Sequence, residues 1–248
     1  MTSISDKEKT STCERVIIVG NSTSVLSEEL GSTIDSYDIV VRINHCVTKG
    51  YEKFIGKKID IWSTTNTNMS RASALTHNFI PENFSSLKSI WHRTSKTRYR
   101  SMIPQHKHIS EYVMYKTNDF RKNFGYLVDS NWFLKGTNQE MCTGLLTILT
   151  STLFYKDVTV VGFTFYTEDN AQKKADYSYY RRDQLNSKGN HCEDSSWQKN
   201  QELGFTSLNV GNKKKQLLKD MSKSGIIKLL NEKELEDTGY ENTGQSLG

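Results

Sequence analysis

Residues 15–62 read RVIIVGNSTSVLSEELGSTIDSYDIVVRINHCVTKGYEKFIGKKIDIW, and this stretch decides the fold. It contains two apolar runs, at residues 16–19 and 39–41, and a third candidate strand at 58–62. Short runs that are rich in β-branched residues are typical of strands buried on both faces of a parallel sheet. A glycine follows the first apolar run, and a polar segment long enough to form a helix lies between the first run and the second run. The pattern therefore predicts the strand, turn, helix and strand that begin an open α/β sheet.

Polar residues follow the first two predicted strands at the point where each strand ends. Gly20, Asn21 and Ser22 come after the first strand, and Arg42 and Asn44 close the second. Open α/β sheets bind ligands beyond the carboxyl ends of their strands. Glycine lets a ligand approach the backbone, and asparagine amides suit ribose hydroxyls and phosphoryl oxygens. These residues predict a nucleotide-like ligand; the alternative is that the asparagines close turns and Arg42 is a solvated or paired charge.

The length and composition predict one domain. The chain has 248 residues, of which 35% are hydrophobic, and this is enough for one sizeable core. We expect a polar tail at residues 1–12, a single domain at 13–230 and a second polar tail at 231–248. The chain contains no apolar run of about 18 residues, so we expect no membrane span.

The net charge of +5 is compatible with an anionic partner. The basic residues are mostly dispersed along the chain, and no RNA-recognition signature, zinc finger or helix-turn-helix pattern is present. We therefore expect no nucleic-acid partner. An anionic small molecule, such as an activated sugar nucleotide, suits the charge better.

Three further segments carry local predictions. Ser24 or Ser27 is expected to cap a helix over about residues 25–30. Residues 87–91 predict a short strand, and residues 99–115 contain a helical pattern preceded by a His-x-His pair. Because no Asp, Glu or Cys cluster accompanies these histidines, we interpret them as surface residues rather than metal ligands.

The opening stretch also resembles the large sialylmotif of the animal-type sialyltransferase family, of which bacterial sialyltransferases share a looser version. The resemblance rests on VGNS at residues 19–22, GSTIDSYDIVVRIN at 31–44 and GYEKFIGKKID at 50–60. It implies a single Rossmann-like α/β domain, a variant of the GT-A type, with a mostly parallel twisted sheet flanked by helices. It also implies that the cytidine monophosphate (CMP) part of a donor is held at the strand ends. The residues implied are Gly20, Asn21, Ser22 and Asn44.

A second segment, residues 141–163, has the pattern of a buried helix followed by a buried strand. Thr143 and Gly144 lie at the predicted helix start, where free N–H groups and the positive end of the helix dipole attract anions. An ordinary N-cap turn is the alternative. The segment resembles the small sialylmotif, with Cys142 where a serine is usual. This resemblance implies that Thr143 and Gly144 contact the cytidine of the donor.

The loop beyond that strand resembles the family's third motif, His-x-Tyr-Tyr or a near variant, in which the side chains meet the donor phosphate. Tyr177, Tyr179 and Tyr180 supply hydroxyl groups in this chain, but no histidine precedes them. Arg181 and Arg182 follow directly and are candidates for the missing positive charge. The alternative is that these tyrosines only pack against the domain.

The catalytic base is the part of the site that the sequence marks least clearly. An acceptor hydroxyl must lose its proton as it attacks the sugar, and histidine is the usual base for this step. The family's fourth motif places a histidine and then a glutamate ahead of a helix and a final strand, but the corresponding places hold Asn209 and Lys214. We predict His191 as the base. His45 or a carboxylate is the alternative, and His191 as a plain surface residue is the competing interpretation.

The four cysteines show no C-x-x-C pair and no Cys/His metal spacing. The resemblance implies a disulfide between a cysteine just before the first strand and another just before a later strand. Cys13 holds the first of these places, but Phe154 and Tyr155 hold the second. We therefore expect reduced thiols and a cytoplasmic location. A bridge from Cys13 to another cysteine is the alternative.

The resemblance also implies an activity. Common α/β glycosyltransferases that use diphosphate sugars hold a divalent ion through Asp-x-Asp, and this chain contains no Asp-x-Asp. We therefore expect an inverting transferase that needs no metal or other cofactor and moves sialic acid, or a related keto-sugar acid, from its CMP form to a glycan hydroxyl. The partners expected are the nucleotide-sugar donor and the glycan acceptor. The departures in the third and fourth motifs leave two alternatives: another donor such as a UDP-sugar, or a nucleotide-binding protein without turnover.

Overall fold

The strands in the part of the chain that the structure describes form one sheet. The computed structural model describes residues 14–44, 46–64, 86–92, 108–114, 142–164 and 208–231. In chain order the strands are β1 (Arg15–Val19), β2 (Ile39–Ile43), β3 (Ile61–Thr64), β4 (Ser89–His92), β5 (Ser110–Val113), β6 (Asp157–Val161) and β7 (Lys228–Leu229).

The helices in these segments pack on the sheet or connect its strands. They are a 3-10 helix (Thr23–Leu26), α1 (Gly31–Asp35), α2 (Glu52–Ile55), α3 (Thr143–Phe154) and α4 (Leu208–Lys223). Within the described segments, no helix combines the length and the apolar character that crossing a bilayer requires.

The sheet has the order β5-β4-β3-β2-β1-β6-β7, and every neighbouring pair is parallel. The chain starts at β1, proceeds strand by strand to the β5 edge, and then returns to β6 on the other side of β1. The direction of the strand order therefore changes beside β1. Ligands of open α/β sheets bind at such a switch point, outside the carboxyl ends of the strands.

The two faces of the sheet carry separate cores. One core joins alternate residues of β1, β2 and β6, such as Val16, Ile18 and Val160, to the buried sides of α3 and α4. The other joins the remaining residues of the same strands, such as Ile17 and Val19, to the 3-10 helix, α1 and α2. Because helices cover both faces, the central strands are apolar along their whole length.

The structure confirms the predicted α/β class and the parallel sheet but corrects two local predictions. The helix expected over residues 25–30 is absent. A 3-10 helix starts earlier, because Ser22 Oγ accepts a hydrogen bond from Ser24 N at 3.3 Å and caps it directly after the turn. The helical pattern expected near residue 110 is also wrong, since Ser110 begins a strand that extends the sheet beyond β4.

Tyr155, which follows α3, gives a prediction for alkaline pH. Burial, followed by the nearby carboxylates of Glu14 and Asp60, raises the pKa of its phenol from 10.0 to about 12. The unfolded chain therefore releases this proton at a lower pH than the folded chain, so stability falls as pH rises from about 10 to about 12. We expect Tyr155→Phe to lose less stability than wild type between about pH 8 and about pH 11. Thermal unfolding at both pH values measures this difference, and an equal loss in the two proteins would contradict the assignment.

Candidate functional site at the carboxyl edge of the sheet

The carboxyl edge of the sheet brings the predicted donor-binding residues together. In the strand register, Val19 lies opposite Arg42 of β2 and opposite Val161 of β6. The loops after β1, β2 and β6 therefore leave the sheet at the same level. The first turn of α3 joins them, because Gly144 lies against the ring of Phe163 after β6. These four segments contain Gly20, Asn21, Ser22, Asn44, Thr143 and Gly144.

The loops after β1 and β6 pack so closely that both turns require glycine. A Cβ atom on Gly20 would lie 2.0 Å from the carbonyl oxygen of Gly162. A Cβ atom on Gly162 would lie 2.4 Å from a methyl group of Val25, and the φ angle of Gly162 is +80°. The amide of Gly20 donates to the carbonyl of Val161 at 2.8 Å. The two loops therefore form one closely packed unit beside the switch point.

Ser22 links the same two loops. Its side chain is 2% exposed. Its amide donates to the Gly162 carbonyl at 3.2 Å, and its Oγ lies 3.0 Å from Thr164 Oγ1. Ser22 thus acts as a helix cap and a loop bridge. Its contact with a donor phosphate stays a prediction.

Asn21 connects the first loop to the second strand. Its Nδ2 donates to the carbonyl of Ile43, the last residue of β2, at 3.0 Å. Among the described residues, no donor reaches its side-chain oxygen. Asn21 therefore has a fixed orientation and an acceptor that suits a ligand hydroxyl.

Asn44 has a positive φ angle, which is unusual for a residue other than glycine. Its φ angle is +51°, a region that side-chain-bearing residues seldom adopt and asparagine tolerates best. Its amide donates to the Ser63 carbonyl at 2.8 Å, and its carbonyl accepts from Trp62 Nε1 at 2.7 Å. Strained residues of this kind cluster at functional sites, where the surrounding structure holds them in place. The two bonds to β3 fix Asn44 at the sheet edge.

The first turn of α3 contacts both neighbouring loops. A Cβ atom on Gly144 would lie 2.6 Å from Phe163 Cε1 and 3.7 Å from Ile43 Cδ1. The carbonyl of Thr143 accepts from Thr147 Oγ1 at 2.7 Å. The N-cap residue Cys142 supplies no side-chain acceptor to the helix, so the first amides of α3 lack a side-chain cap. Such amides are donors with a positive local potential and suit an anion or a base carbonyl.

Arg42 has a structural role that the sequence did not reveal. Its side chain is 1% exposed, so it is not a solvated charge. Its Nε donates to Lys58 O at 2.8 Å and its Nη2 to Ile55 O at 2.7 Å, which holds the end of α2 against β2. No carboxylate of the described segments pairs with it. Burial raises the pKa of the Cys46 thiol to about 12, although the positive charge of Arg42 lowers this pKa in part. The thiol therefore stays protonated and does not act as a nucleophile.

The remaining candidates lie outside the described residues. These are the predicted phosphate ligands Tyr177, Tyr179 and Tyr180, the predicted base His191, and the alternative base His45. Their roles stay predictions. In the described segments, no three His, Cys, Asp or Glu side chains come together as a metal site would require.

A comparison with protein-family models shows the family to which the chain belongs. The family described as "Glycosyltransferase family 29 (sialyltransferase)" matches residues 1–203 of the chain. The chain belongs to this family. In the structure, the described segments that resemble the large and small sialylmotifs meet at one edge of the sheet.

Individual members of family 29 match shorter stretches. Over 46 residues, 18% of this chain, it is 54% identical to "CMP-N-acetylneuraminate-beta-1,4-galactoside alpha-2,3-sialyltransferase" of Homo sapiens. Over 99 residues, 40% of this chain, it is 33% identical to "Alpha-N-acetylgalactosaminide alpha-2,6-sialyltransferase 1" of Gallus gallus. The matched stretches span 12% and 14% of the length of these curated relatives.

A solved structure supports the fold of this family 29 member. The crystal structure of a mammalian sialyltransferase matches with a TM-score of 0.53 and 16% sequence identity. The match covers 88% of this chain and 69% of the solved chain. At this identity the likeness establishes the fold alone.

The structure adds residues that the sequence did not mark. Trp62 holds the carbonyl of Asn44, and Phe163 packs on Gly144. Both are large apolar side chains near strand ends, a pattern that ordinary core residues share. The φ angle of Asn44 is likewise visible only in three dimensions.

Proposed function

We propose that the chain transfers sialic acid, or a related keto-sugar acid, from its CMP-activated form to a hydroxyl group of a glycan. The observation that carries the proposal is the meeting of three motif segments around Ile43. Asn21 donates to its carbonyl, Asn44 follows it, and Gly144 lies beside its side chain. Family membership supplies the reaction class, since the relatives are named as sialyltransferases.

Different groups of the proposed donor site would bind different parts of the donor. The side-chain amides of Asn21 and Asn44 would bind ribose hydroxyls and phosphate oxygens, because each side-chain amide offers donors and an acceptor without charge. The first amides of α3, at Thr143 and Gly144, would bind the cytosine base. The hydroxyls of the tyrosines at 177–180 would donate to the phosphate.

The proposed reaction is a single displacement with inversion. The acceptor oxygen attacks the anomeric carbon as the bond from that carbon to the phosphate oxygen breaks, and CMP leaves with the electron pair. The acceptor proton passes to a base, for which we propose His191. Preorganised hydrogen bonds to the departing phosphate would stabilise its charge, and no metal ion is required in this scheme.

One observation favours a second candidate, a nucleotide-binding protein without turnover. The place of the family's histidine falls at Asn209, and α4 begins at Leu208, so this place lies in the first turn of the helix. An asparagine does not act as a general base at neutral pH. If no other residue supplies the base, the protein binds the donor and transfers nothing.

A transfer assay separates these candidates. The protein is mixed with CMP-sialic acid and a galactose-terminated oligosaccharide, with and without EDTA, and the product is identified by mass and by the configuration of the new linkage. The proposal predicts an inverted product and a rate that EDTA does not change. Binding without product supports the second candidate. A requirement for manganese together with a response to UDP would indicate a UDP-sugar donor.

The cellular setting is a separate proposal. We propose a cytoplasmic location with reduced thiols, and the support is the aromatic pair Phe154 and Tyr155 at the place where the family disulfide would end. The described cysteines, Cys46 and Cys142, are both free thiols.

A further inference from the structure

Two buried hydroxyl groups join the third strand to the first turn of α3. Ser63 in β3 and Thr147 in α3 are both fully buried. Their side-chain oxygen atoms lie 2.5 Å apart, and Thr147 Oγ1 also donates to the carbonyl of Thr143 at 2.7 Å. We call the Ser63 and Thr147 side chains the hydroxyl pair. The hydroxyl pair connects the end of β3 to a residue of the candidate donor site.

The hydrogen bonds of the hydroxyl pair run in one direction. Thr147 has a single hydroxyl proton, and the carbonyl of Thr143 is a nearer and stronger acceptor for it than the thioether of Met114, which lies at 3.8 Å. The 2.5 Å contact therefore uses the proton of Ser63, which donates to Thr147 Oγ1. Two successive hydrogen bonds thus lead from Ser63 to the Thr143 carbonyl.

The main chain of Ser63 holds the other side of the candidate donor site. Its carbonyl accepts from the amide of Asn44 at 2.8 Å. Ser63 therefore contacts Asn44 directly and reaches Thr143 through one intervening hydroxyl group. Asn44 follows β2 and Thr143 begins α3, so a single buried residue connects two segments of the site that are far apart in the sequence.

The packing of α3 shows why a directional contact matters here. Every residue from 143 to 151 is buried. A helix that is buried on all sides lacks the single apolar stripe that orients a surface helix, and apolar contacts have no preferred direction. Hydrogen bonds have a preferred distance and angle. Ser151 and Thr152 donate to carbonyls within α3, whereas Thr147 also bonds to the sheet. The hydroxyl pair therefore defines how α3 is rotated and placed on β3.

We propose that Ser63 and Thr147 are positioning residues, which hold the first turn of α3 at the distance from Asn44 that the donor nucleotide requires. The inference rests on the proposed function, in which both sides bind parts of CMP. Because both hydroxyls are fully buried, they act through Asn44 and Thr143 and not by touching the donor. Without the hydroxyl pair, α3 can shift against the sheet. Part of the binding free energy of CMP would then go into restoring the arrangement.

The test measures CMP binding by titration calorimetry in two variants that change stability and hydroxyl content in opposite ways. Ser63→Ala combined with Thr147→Val removes both hydroxyls, and no buried donor is left without its acceptor. We expect this ligand-free double variant to unfold within about 4 °C of wild type and to bind CMP roughly 10-fold more weakly. Thr147→Ser keeps the hydroxyl and loses a buried methyl group. We expect it to unfold at a lower temperature and to bind CMP as wild type does.

Ser151→Ala is the matched control. Ser151 is fully buried on the same helix, and its hydroxyl donates to the carbonyl of Thr147 at 2.8 Å, inside α3. Because this bond does not reach the sheet, we expect Ser151→Ala to keep the wild-type affinity for CMP.

The single variant Ser63→Ala gives a second measurement, because it removes only the bond between the sheet and α3. We expect it to weaken CMP binding as well, and by no more than the double variant does. Wild-type CMP affinity in both Ser63→Ala and the double variant overturns the inference and leaves the proposed function standing. An equal loss of affinity in Thr147→Ser and in the double variant also overturns it, since stability alone would then explain both. If wild type binds no CMP, the proposed function fails and the inference fails with it.

Discussion

Gly20→Ala is expected to destabilise the fold by about 3 kcal/mol, the upper end of the usual cost of an overpacked site. The added Cβ atom would lie 2.0 Å from the carbonyl oxygen of Gly162 and 3.0 Å from the Phe163 ring. Since the first of these atoms belongs to the backbone, a side-chain rotation cannot relieve the clash. The loops after β1 and β6 must separate, and the hydrogen bond from the Ser22 amide to Gly162 is then lost. Denaturant unfolding of both proteins measures the difference.

Gly50→Ala is the control, because its cost comes from backbone strain at a positive φ angle and not from a steric clash. Gly50 has a φ angle of +86°, and no atom lies within 4 Å of its would-be Cβ atom. Its replacement adds backbone strain of about 1–2 kcal/mol without a clash. Gly20 is not among the glycines with positive φ, so its replacement adds a clash without backbone strain. The contact between the two loops is refuted if Gly20→Ala is no less stable than Gly50→Ala.

Asn44 variants are expected to give the largest loss of donor binding among single changes at the sheet edge. Asn44→Asp keeps the shape of the side chain and a residue type that tolerates a φ angle of +51°. It replaces two N–H donors by a negative charge beside the proposed phosphate. We therefore expect CMP to bind at least about 100-fold more weakly, while the stability of the ligand-free protein stays within about 1 kcal/mol of wild type.

Asn44→Gly separates the side chain from the backbone conformation. Glycine adopts positive φ without strain, so the hydrogen bonds from Trp62 and to Ser63 can persist. We expect an intermediate loss of CMP affinity, roughly 10-fold, from the missing amide. Titration calorimetry with CMP measures both variants. CMP binding at wild-type strength to Asn44→Asp would remove Asn44 from the donor site.

The central strands were predictable because their amino-acid composition indicates burial. Residues 16–19 and 39–41 are apolar on both faces, and only a strand covered by helices on both sides requires this. The glycine after the first strand likewise predicted a turn. At the edges of the sheet the sequence was ambiguous, because β5 carries polar residues and owes its conformation to pairing with β4. Local pattern cannot predict a strand that depends on its neighbour.

The site was predictable in its location but not in its internal contacts. The strand pattern placed Asn21 and Asn44 at one edge, since parallel strands share their carboxyl ends, and the resemblance to the small sialylmotif added Thr143 at the start of α3. The burial of Arg42 and Lys214 was not predictable, because a charged residue in a helix or strand pattern is usually exposed. The capping role of Ser22 was also missed, since three serines in six residues compete for the same function and only the tertiary turn selects one.

The central claim is that the loops after β1 and β2 and the first turn of α3 bind the nucleotide together. Hydrogen exchange of the backbone amides with and without CMP tests this claim most directly. We predict slower exchange in the presence of CMP in three separate segments, around residues 20–26, 43–50 and 142–147, with no such effect from UDP. Unchanged exchange in all three segments at a saturating concentration of CMP, or protection confined to one of them, would contradict the claim.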